Sequence, residues 1–352
     1  MSTELTLNQT SSTCALPDIV EAFTSRTMIA CHAFILTVIL CSFYLSYFAT
    51  LRLLRQNVFP SCTKTLLLSS IINGVVHQGT TAYIRSNSQI RVLLHVIWYR
   101  HDPCSILFKS SDCLIEGLLY YHTNLFSSIV CVSLFLDRLF SFWTLYNSHQ
   151  KKTAVIFILL QILIPTTILI WVFYDANYTV YVPMCNYPPP GSSEKFFIVN
   201  ASRLYFFYAL AAASLALFIV NRRREKKIVH KNYTVDARFK SYESYLGTKA
   251  VFYVIIVQVV CLAGTSYIPK TFNENRGSIP ASWYHITLAF ATGLTYANFF
   301  VPIIVCYQIM KIIATRHAKI QKLKIQPGQK LYFNKLQNEW DAKFEEFAAK
   351  NN

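Results

Sequence analysis

An acid and a base, Asp137 and Arg138, stand side by side at the end of a long apolar stretch. An ionised pair at the boundary of a membrane is costly to dehydrate unless it has a use, and such pairs often act as switches. The alternative is that Arg138 is an interfacial residue whose side chain reaches toward water and lipid headgroups. The pair therefore predicts either a conformational switch or an interfacial anchor.

Polar residues also repeat every four positions along the same apolar stretch. Glu116, Tyr120 and Asn124 fall on one face of a helix, in its first half. An acid inside a membrane helix is a functional hypothesis by default, so we predict that these three residues contribute to a ligand-binding site. Glu116 can instead reach the outer water or pair with Arg203, and the sequence favours neither interpretation.

The ten cysteines contain no CxxC pair and no Cys/His spacing typical of zinc sites. No metal site and no cofactor is therefore predicted. Cys14, Cys104, Cys113 and Cys185 fall outside the membrane in the topology given below, where the oxidising compartment favours disulfides. Four cysteines allow three pairings, and their spacing does not choose among them.

The elements that must position these residues are membrane helices. The chain of 352 residues is 53% apolar and 14% charged, whereas soluble domains have roughly 25% charged residues. Several windows of about 20 residues contain no charge, which only a bilayer or a very large core requires. We predict an all-α membrane protein, a bundle of seven transmembrane helices. The predicted helices are 27–51, 65–84, 114–136, 153–174, 196–220, 250–269 and 281–310.

Lys and Arg are divided unequally between the two sides of these helices. If the N-terminus is outside, 24 of the 33 fall on the inner side, as the positive-inside rule requires. This topology also accounts for the net charge of +16, since no polar domain concentrates the cations as a nucleic-acid binder does. The predicted divisions are an extracellular N-terminus at 1–26, the helix bundle at 27–310, an amphipathic juxtamembrane helix at 311–326 and a cytoplasmic tail at 327–352.

Two segments between the predicted helices have a distinct composition. The inner loop 221–249 opens with a cationic run at 222–227, which favours contact with lipid headgroups over specific recognition. Residues 92–99 are apolar but too short to span, so we predict a loop or interfacial segment. The sequon at Asn8 is predicted to carry a glycan, whereas the one at Asn232 lies in the predicted cytoplasmic loop.

Cys113 and Arg138 are 25 residues apart. In this the chain resembles rhodopsin-like receptors, in which that interval separates the outer disulfide cysteine from the inner arginine of an acid-Arg-Tyr motif. The similarity extends to the seven predicted helices, the outer N-terminus and the basic third inner loop.

Several short motifs are similar to those of the nematode serpentine receptor class alpha (Sra) family. They are spread over nearly the whole chain. The similar stretches are 63–68 (Thr-Lys-Thr-Leu-Leu-Leu), 77–78 (His-Gln), 102–107 (Asp-Pro-Cys-Ser-Ile-Leu), 111–113 (Ser-Asp-Cys), 137–142 (Asp-Arg-Leu-Phe-Ser-Phe), 236–239 (Asp-Ala-Arg-Phe), 302–307 (Pro-Ile-Ile-Val-Cys-Tyr) and 338–341 (Asn-Glu-Trp-Asp).

This resemblance implies a G-protein-coupled chemosensory receptor that detects a small-molecule odorant or tastant. It implies a heterotrimeric G protein as partner and a multi-pass location in the plasma membrane of sensory neurons. The wider receptor pattern further implies a disulfide between Cys113 and Cys185. It also implies that Arg138 couples ligand binding to the G protein when its contact with Asp137 breaks.

The chain departs from the wider rhodopsin-like pattern at several positions. Leu139 stands where that pattern has a tyrosine, and Pro302 is preceded by Val301 instead of an asparagine. Tyr120 lies 18 residues before Arg138, at the level where amine receptors have an aspartate. An amine ligand bound in that way is therefore not expected, and activation details of the wider group transfer poorly.

The main alternative is a ligand-gated channel or transporter. The odd number of predicted helices, the lack of an inverted repeat and the lack of a ring of acids weigh against it. An intramembrane enzyme would need acids or a Ser/His pair converging near the midplane, and the chain is not predicted to be an enzyme. The histidines in the apolar segments are scattered, at His32, His77, His122 and His285.

Overall fold

The chain forms long α-helices in the computed structural model, which describes residues 17–99, 102–141, 144–189, 191–230, 235–274 and 281–325. The helices are α1 (Pro17–Thr24), α2 (Arg26–Arg55), α3 (Ser61–Ile97), α4 (Leu114–Phe140), α5 (Thr144–Phe173), α6 (Ser193–His230), α7 (Val235–Glu274), α8 (Ala281–Phe290) and α9 (Gly293–Ile325). Two short strands, β1 (Phe108–Lys109) and β2 (Tyr181–Val182), pair antiparallel. By compactness the chain divides into residues 1–306 and 307–352, and the described part of the second unit is the last portion of α9.

Six helices among the described residues are long and apolar enough to cross a membrane, namely α2, α4, α5, α6, α7 and α9. Their outer faces carry large exposed apolar side chains, such as Leu40 and Ile170, which are 69% and 66% exposed. A surface of this kind requires lipid and not water. The protein is therefore a multi-pass membrane protein.

The seventh long helix, α3, is less apolar because its polar residues face the inside of the bundle. It has 37 residues and a length of about 55 Å at 1.5 Å per residue, more than the roughly 30 Å of a bilayer core. It packs against α2, α4 and α5. The predicted seven-helix membrane fold is confirmed. The buried polar residues of α3 are Thr63, Ser70, Asn73, His77, Gln78, Thr80, Thr81, Arg85, Ser88 and His95.

The predicted end of this helix at residue 84 is wrong, because α3 continues to Ile97. Most of the stretch 92–99, predicted as a loop or interfacial segment, is therefore helical. Arg85, the residue just after the predicted end, is buried and hydrogen-bonded inside the protein. A charge that finds partners within the bundle does not have to end the helix.

The predicted inner loop 221–249 is also wrong over most of its length. Helix α6 extends to His230 and α7 begins at Val235. The cationic residues at 222–227 belong to the last turns of α6 and are mostly exposed. Hydropathy detects only the part of a helix that lies within lipid, so it ends a helix too early when the helix continues into water.

The predicted seventh helix is divided in two. Helix α8 ends at Phe290, two residues follow without helical structure, and α9 begins at Gly293. The backbone amide of Gly293 donates to the hydroxyl of Thr265 on α7, 2.6 Å away. A Cβ at Gly293 would lie only 1.9 Å from the carbonyl oxygen of Cys261, so the close approach of α9 to α7 requires glycine. Helix α9 then continues to Ile325 without a break near residue 310.

The ends of the chain add one unpredicted element. Residues 17–24 of the predicted extracellular N-terminus form α1, which packs against α8. Residues 1–16 and the predicted tail 327–352 lie outside the described residues. We call the end of the bundle with the β1–β2 pair the disulfide end, and the opposite end the Arg138 end.

Candidate functional site

A disulfide joins Cys113 to Cys185 at the disulfide end, with 4.9 Å between their Cα atoms. Cys113 is the residue before the first turn of α4, and Cys185 follows β2. This is the pairing that the receptor resemblance implied. Cys104 is disulfide-bonded as well, and Cys14, the remaining one of the four cysteines predicted to lie outside the membrane, is not among the described residues.

The disulfide fastens a small lid over the helix ends. In the lid, Phe108 of β1 pairs with Val182 of β2. The guanidinium of Arg91 on α3 lies 4.0 Å from the ring centre of Phe108 and donates to the carbonyl of Leu107 at 2.6 Å. An apolar cluster continues from the lid into the bundle. Its members include Phe23, Met28, Ile84, Val92, Phe108, Val182, Met184 and Ala289.

A small cavity lies beside the disulfide. Its space for a water-sized molecule is about 10 Å³, enough for roughly one water molecule. Burial raises the pKa of the Tyr178 phenol above its usual value, so this group stays neutral at physiological pH. The cavity is lined by Ser110, Cys113, Leu114, Gly117, Tyr121, Phe173, Tyr178, Val182, Cys185, Tyr187 and Pro189.

The three predicted ligand residues of α4 have different surroundings. The ring of Tyr120 packs against that of His77, with centres 5.0 Å apart. Asn124 accepts a hydrogen bond of 2.6 Å from Arg203 on α6. One carboxylate oxygen of Glu116 is buried without a hydrogen-bond partner among the described residues. The suggested pairing of Glu116 with Arg203 is not found among the described residues. Arg203 bonds instead to the amide of Asn124, about two helix turns farther along α4.

The strongest polar feature near Tyr120 was not predicted. Arg85 is 1% exposed, and its guanidinium contacts Nδ1 of His32 on α2 at 3.2 Å and donates to the carbonyl of Ala289 on α8. The spacing of His77 and Arg85, eight residues apart on one helix face, was a usable signal. It was missed because the predicted helix ended one residue before Arg85.

A ladder of hydrogen bonds connects α3 with α4 in the middle of the bundle. Asn73 donates to the carbonyl of Thr123 at 2.9 Å and to the hydroxyl of Ser127 at 3.3 Å. His77 lies 2.9 Å from the hydroxyl of Thr123. The amide of Gln78 donates to the carbonyl of Thr295 on α9 at 2.9 Å. These bonds satisfy buried polar groups that have no water to bind.

The two residues that follow Tyr120 on α4 contribute to helix and lid packing. The hydroxyl of Tyr121 donates to the carbonyl of Asn186 at 2.6 Å, and His122 lies 3.3 Å from the hydroxyl of Thr166. Tyr121 also lines the cavity beside the disulfide.

At the Arg138 end, Asp137 and Arg138 form a salt bridge that is closed to solvent. The two side chains are 0% and 1% exposed, and the shortest distance between them is 2.6 Å. The hydroxyl of Thr63 on α3 donates to the same carboxylate oxygen at 2.6 Å and accepts from the Arg138 guanidinium. We call these three residues the Arg138 triad.

The triad corrects two expectations. The contact with Asp137 was expected to be modest because adjacent residues on a helix point apart, yet Nε and Nη2 of Arg138 both bond to its carboxylate. Both side chains turn toward α3, where the carboxylate finds its third partner. A partner was expected on a basic loop or the sixth membrane helix. Among the described residues a partner is Thr63 of α3, whose position beside α4 no sequence pattern reveals.

The other side of the Arg138 guanidinium faces α7. A Cβ at Gly247 would lie 2.6 Å from Nη1 of Arg138, so α7 approaches closely only because this residue is glycine. Nη1 itself has no hydrogen-bond partner among the described residues. A small cavity with about 170 Å³ of empty space adjoins it, lined by Phe135, Arg138, Ser214, Leu217, Thr248, Val251, Phe252 and Ile255.

Comparison with known proteins is informative over nearly the whole chain. Residues 9–340 match the family described as "Serpentine type 7TM GPCR chemoreceptor Sra". Serpentine receptor class alpha-29 of Caenorhabditis elegans is 46% identical, over 89% of this chain and 90% of that protein. Class alpha-28 and class alpha-31 of the same organism are 45% and 44% identical, over 95% and 93% of this chain and 97% and 96% of theirs. The chain belongs to the Sra family of serpentine chemoreceptors.

Proposed function

We propose that this Sra-family protein is a chemosensory receptor that binds a small odorant or tastant at its disulfide end and activates a heterotrimeric G protein at its Arg138 end. It acts in the plasma membrane, in sensory neurons. The observation that carries the proposal is the solvent-free Arg138 triad in a chain of this family. A buried salt bridge is weak evidence for stability but is well suited to a switch.

The disulfide end offers the features that a small-molecule site needs. It has a small cavity lined mainly by apolar and aromatic groups, with the phenols of Tyr121, Tyr178 and Tyr187 among them. Tyr120 and Asn124 lie on α4, the helix that supplies Tyr121. Glu116 contributes a buried carboxylate oxygen without a partner. The disulfide between Cys113 and Cys185 holds the lid over these residues.

The Arg138 end offers a contact that a partner protein can replace. In the resting state the guanidinium is held by Asp137 and Thr63. When α7 moves away from α4, the nitrogen that faces Gly247 becomes free to bind backbone carbonyls of a G protein inserted between the helices. Ligand binding then acts by favouring the separated state over the closed one.

The test is to express the chain with several G proteins and to apply volatile and water-soluble compounds while G-protein activation is recorded. Arg138→Ala should abolish the response to any active compound at normal surface level and leave ligand affinity largely unchanged. Arg55→Ala is the matched control, because Arg55 is exposed in the last turn of α2. A full response from Arg138→Ala would show that this residue is only an interfacial anchor.

Orientation has its own test, based on the asymmetry of Lys and Arg and on two sequons. Asn8 should carry a glycan, and Asn232 should not, because glycosylation takes place only on the outer side. Protease added to intact cells should remove an N-terminal tag and spare a C-terminal one. The reverse pattern would contradict the receptor topology.

A further inference from the structure

Two arginines in the half of the bundle nearer the disulfide end have no acidic partner. The salt bridges among the described residues join Arg138 to Asp137 and Lys195 to Asp175, so neither Arg85 nor Arg203 takes part in one. Arg85 is almost completely buried. Removing a guanidinium from water without a counter-charge costs several kcal/mol, a cost that neutral partners only partly offset.

The existing partners of Arg85 leave hydrogen-bond donors unused. The carbonyl of Ala289 lies in the last turn of α8, where the helix leaves carbonyls unpaired, so this contact is favourable but neutral. Because a guanidinium only donates, Nδ1 of His32 must be the acceptor, and the proton of the neutral imidazole is on Nε2. Nε of Arg85 and Nε2 of His32 are both buried without a hydrogen-bond partner.

Phenol groups surround the same guanidinium. Tyr120, Tyr187 and Tyr296 all lie within electrostatic range of Arg85, and Tyr120 is within range of Arg203 as well. Tyr120 is therefore close to both cations. Tyr187 also lines the small cavity beside the disulfide, so this cavity lies next to the cationic region.

We propose that the ligand is a small organic carboxylate whose anionic group binds at Arg85. This inference rests on the proposed receptor function and specifies its ligand class. A carboxylate can accept two parallel bonds from a guanidinium, together with bonds from the unused donor of His32 and a phenol. Arg203 adds to the positive potential that attracts the anion.

Glu116 strengthens the choice of a single anionic group. Its carboxylate takes no part in a salt bridge with Arg85 or Arg203 in the described chain, so it does not neutralise the site. Glu116 lies one helix turn from Tyr120, toward the disulfide end of α4, so a second negative group that extended in that direction would be repelled. A monocarboxylate with an uncharged body therefore fits better than a dicarboxylate.

The test measures binding without requiring a signal. Purified receptor in detergent is heated with benzoate, hexanoate or decanoate at millimolar concentration, or with the primary amide of each acid, and its melting temperature is recorded. At least one acid should raise the melting temperature more than its amide. Arg85→Gln should weaken the acid's apparent affinity by about 10- to 100-fold, as expected when a charged hydrogen-bonding partner is lost.

Arg91→Gln is the matched control, since Arg91 lies on the same helix but packs against the lid. It should keep the acid-specific shift. If Arg85→Gln does not fold, the test uses Arg85→Lys and Arg203→Gln instead. Both variants should fold, and both should lower the apparent affinity for the acid without changing that for the amide. An acid-specific shift that survives in these variants would mean that Arg85 only ties α3 to α2 and α8.

The outcomes separate this inference from the proposed function. Acids that stabilise the receptor but trigger no G protein would count against the signalling proposal alone. If neutral or cationic compounds activate the receptor and no acid outperforms its amide, the carboxylate inference is overturned while the receptor function stands.

Discussion

Thr63→Val isolates the contribution of one hydroxyl group to the resting state of the receptor. Thr63 is completely buried, and its hydroxyl bonds to both charged members of the Arg138 triad. Valine has nearly the same shape, so the packing of α3 against α4 should persist. The substitution removes the bridge and leaves Asp137 and Arg138 bonded only to each other and to their remaining partners.

The size of the effect follows from the charge of the partners. A hydrogen bond to a charged group contributes about 1.5–3 kcal/mol, and each 1.4 kcal/mol changes an equilibrium about tenfold. A receptor that is about 1% active at rest would then become roughly 10–60% active without ligand. A change of this size is large compared with normal variation in surface expression.

The assay compares ligand-independent G-protein activation at equal surface level. Thr63→Ser keeps the hydroxyl and should retain low basal activity. Thr65→Val is the matched control on the same helix, because the Thr65 hydroxyl bonds only to the carbonyl of Ser61. If Thr63→Val is as silent as wild type at normal surface level, the triad does not hold the resting state and the reasoning is refuted.

Three further predictions concern the same two ends of the bundle. Asp137→Asn should raise basal signalling, because it removes the negative charge and leaves the arginine in place; a silent receptor at normal surface level would contradict this. Gly247→Ala should also raise basal signalling without lowering thermal stability, since the added methyl displaces the guanidinium tip or α7 while alanine favours the helix by about 1 kcal/mol. Cys113→Ser should reduce surface expression, because opening a loop of 72 residues costs about 4 kcal/mol in the chain-entropy model. Peptide mapping of the wild type under non-reducing conditions that found Cys113 free would overturn that expectation.

The sequence predicted the ends of helices correctly where a helix ends at the edge of the hydrocarbon layer. The start of α4 at Leu114 and the end of α5 at Phe173 were placed within one residue, because apolar residues stop where the hydrocarbon layer stops. The ends of α3, α6 and α7 were missed. There the helix continues into water, or carries a charge that the bundle itself solvates, and neither leaves a hydropathy signal.

The residues of the candidate site were predicted to the extent that they share one helix. Periodicity placed Glu116, Tyr120 and Asn124 on the same face of α4. Arg85 and Thr63 were missed as functional residues because their partners lie on other helices. Which side chain meets which across a bundle depends on helix rotation and contact, and composition does not encode either.

The hydrogen bonds suggest how a ligand at one end can act on the other. Helices α3 and α4 are joined by the bonds of Asn73 and His77, so they can move only as a unit. Helices α6 and α7 form a second unit, joined by the 2.7 Å bond from Asn221 to Thr248. Between the units, Arg203 fastens α6 to α4 toward the disulfide end.

Toward the Arg138 end the contact between the two units is weaker. The thiol of Cys131 on α4 meets the amide oxygen of Gln258 on α7, and a thiol is a poor donor. Farther along, Arg138 and residues of α6 and α7 line a small cavity, and Gly247 is the point at which α7 touches the guanidinium. A pair of helices fastened near one end and loosely packed at the other moves by pivoting. An anion that draws Arg203 away from Asn124 would change the position of that pivot, and the displacement would be largest where Gly247 touches Arg138. Ligand binding at the disulfide end would therefore loosen the triad without any chain of contacts running directly between the two sites.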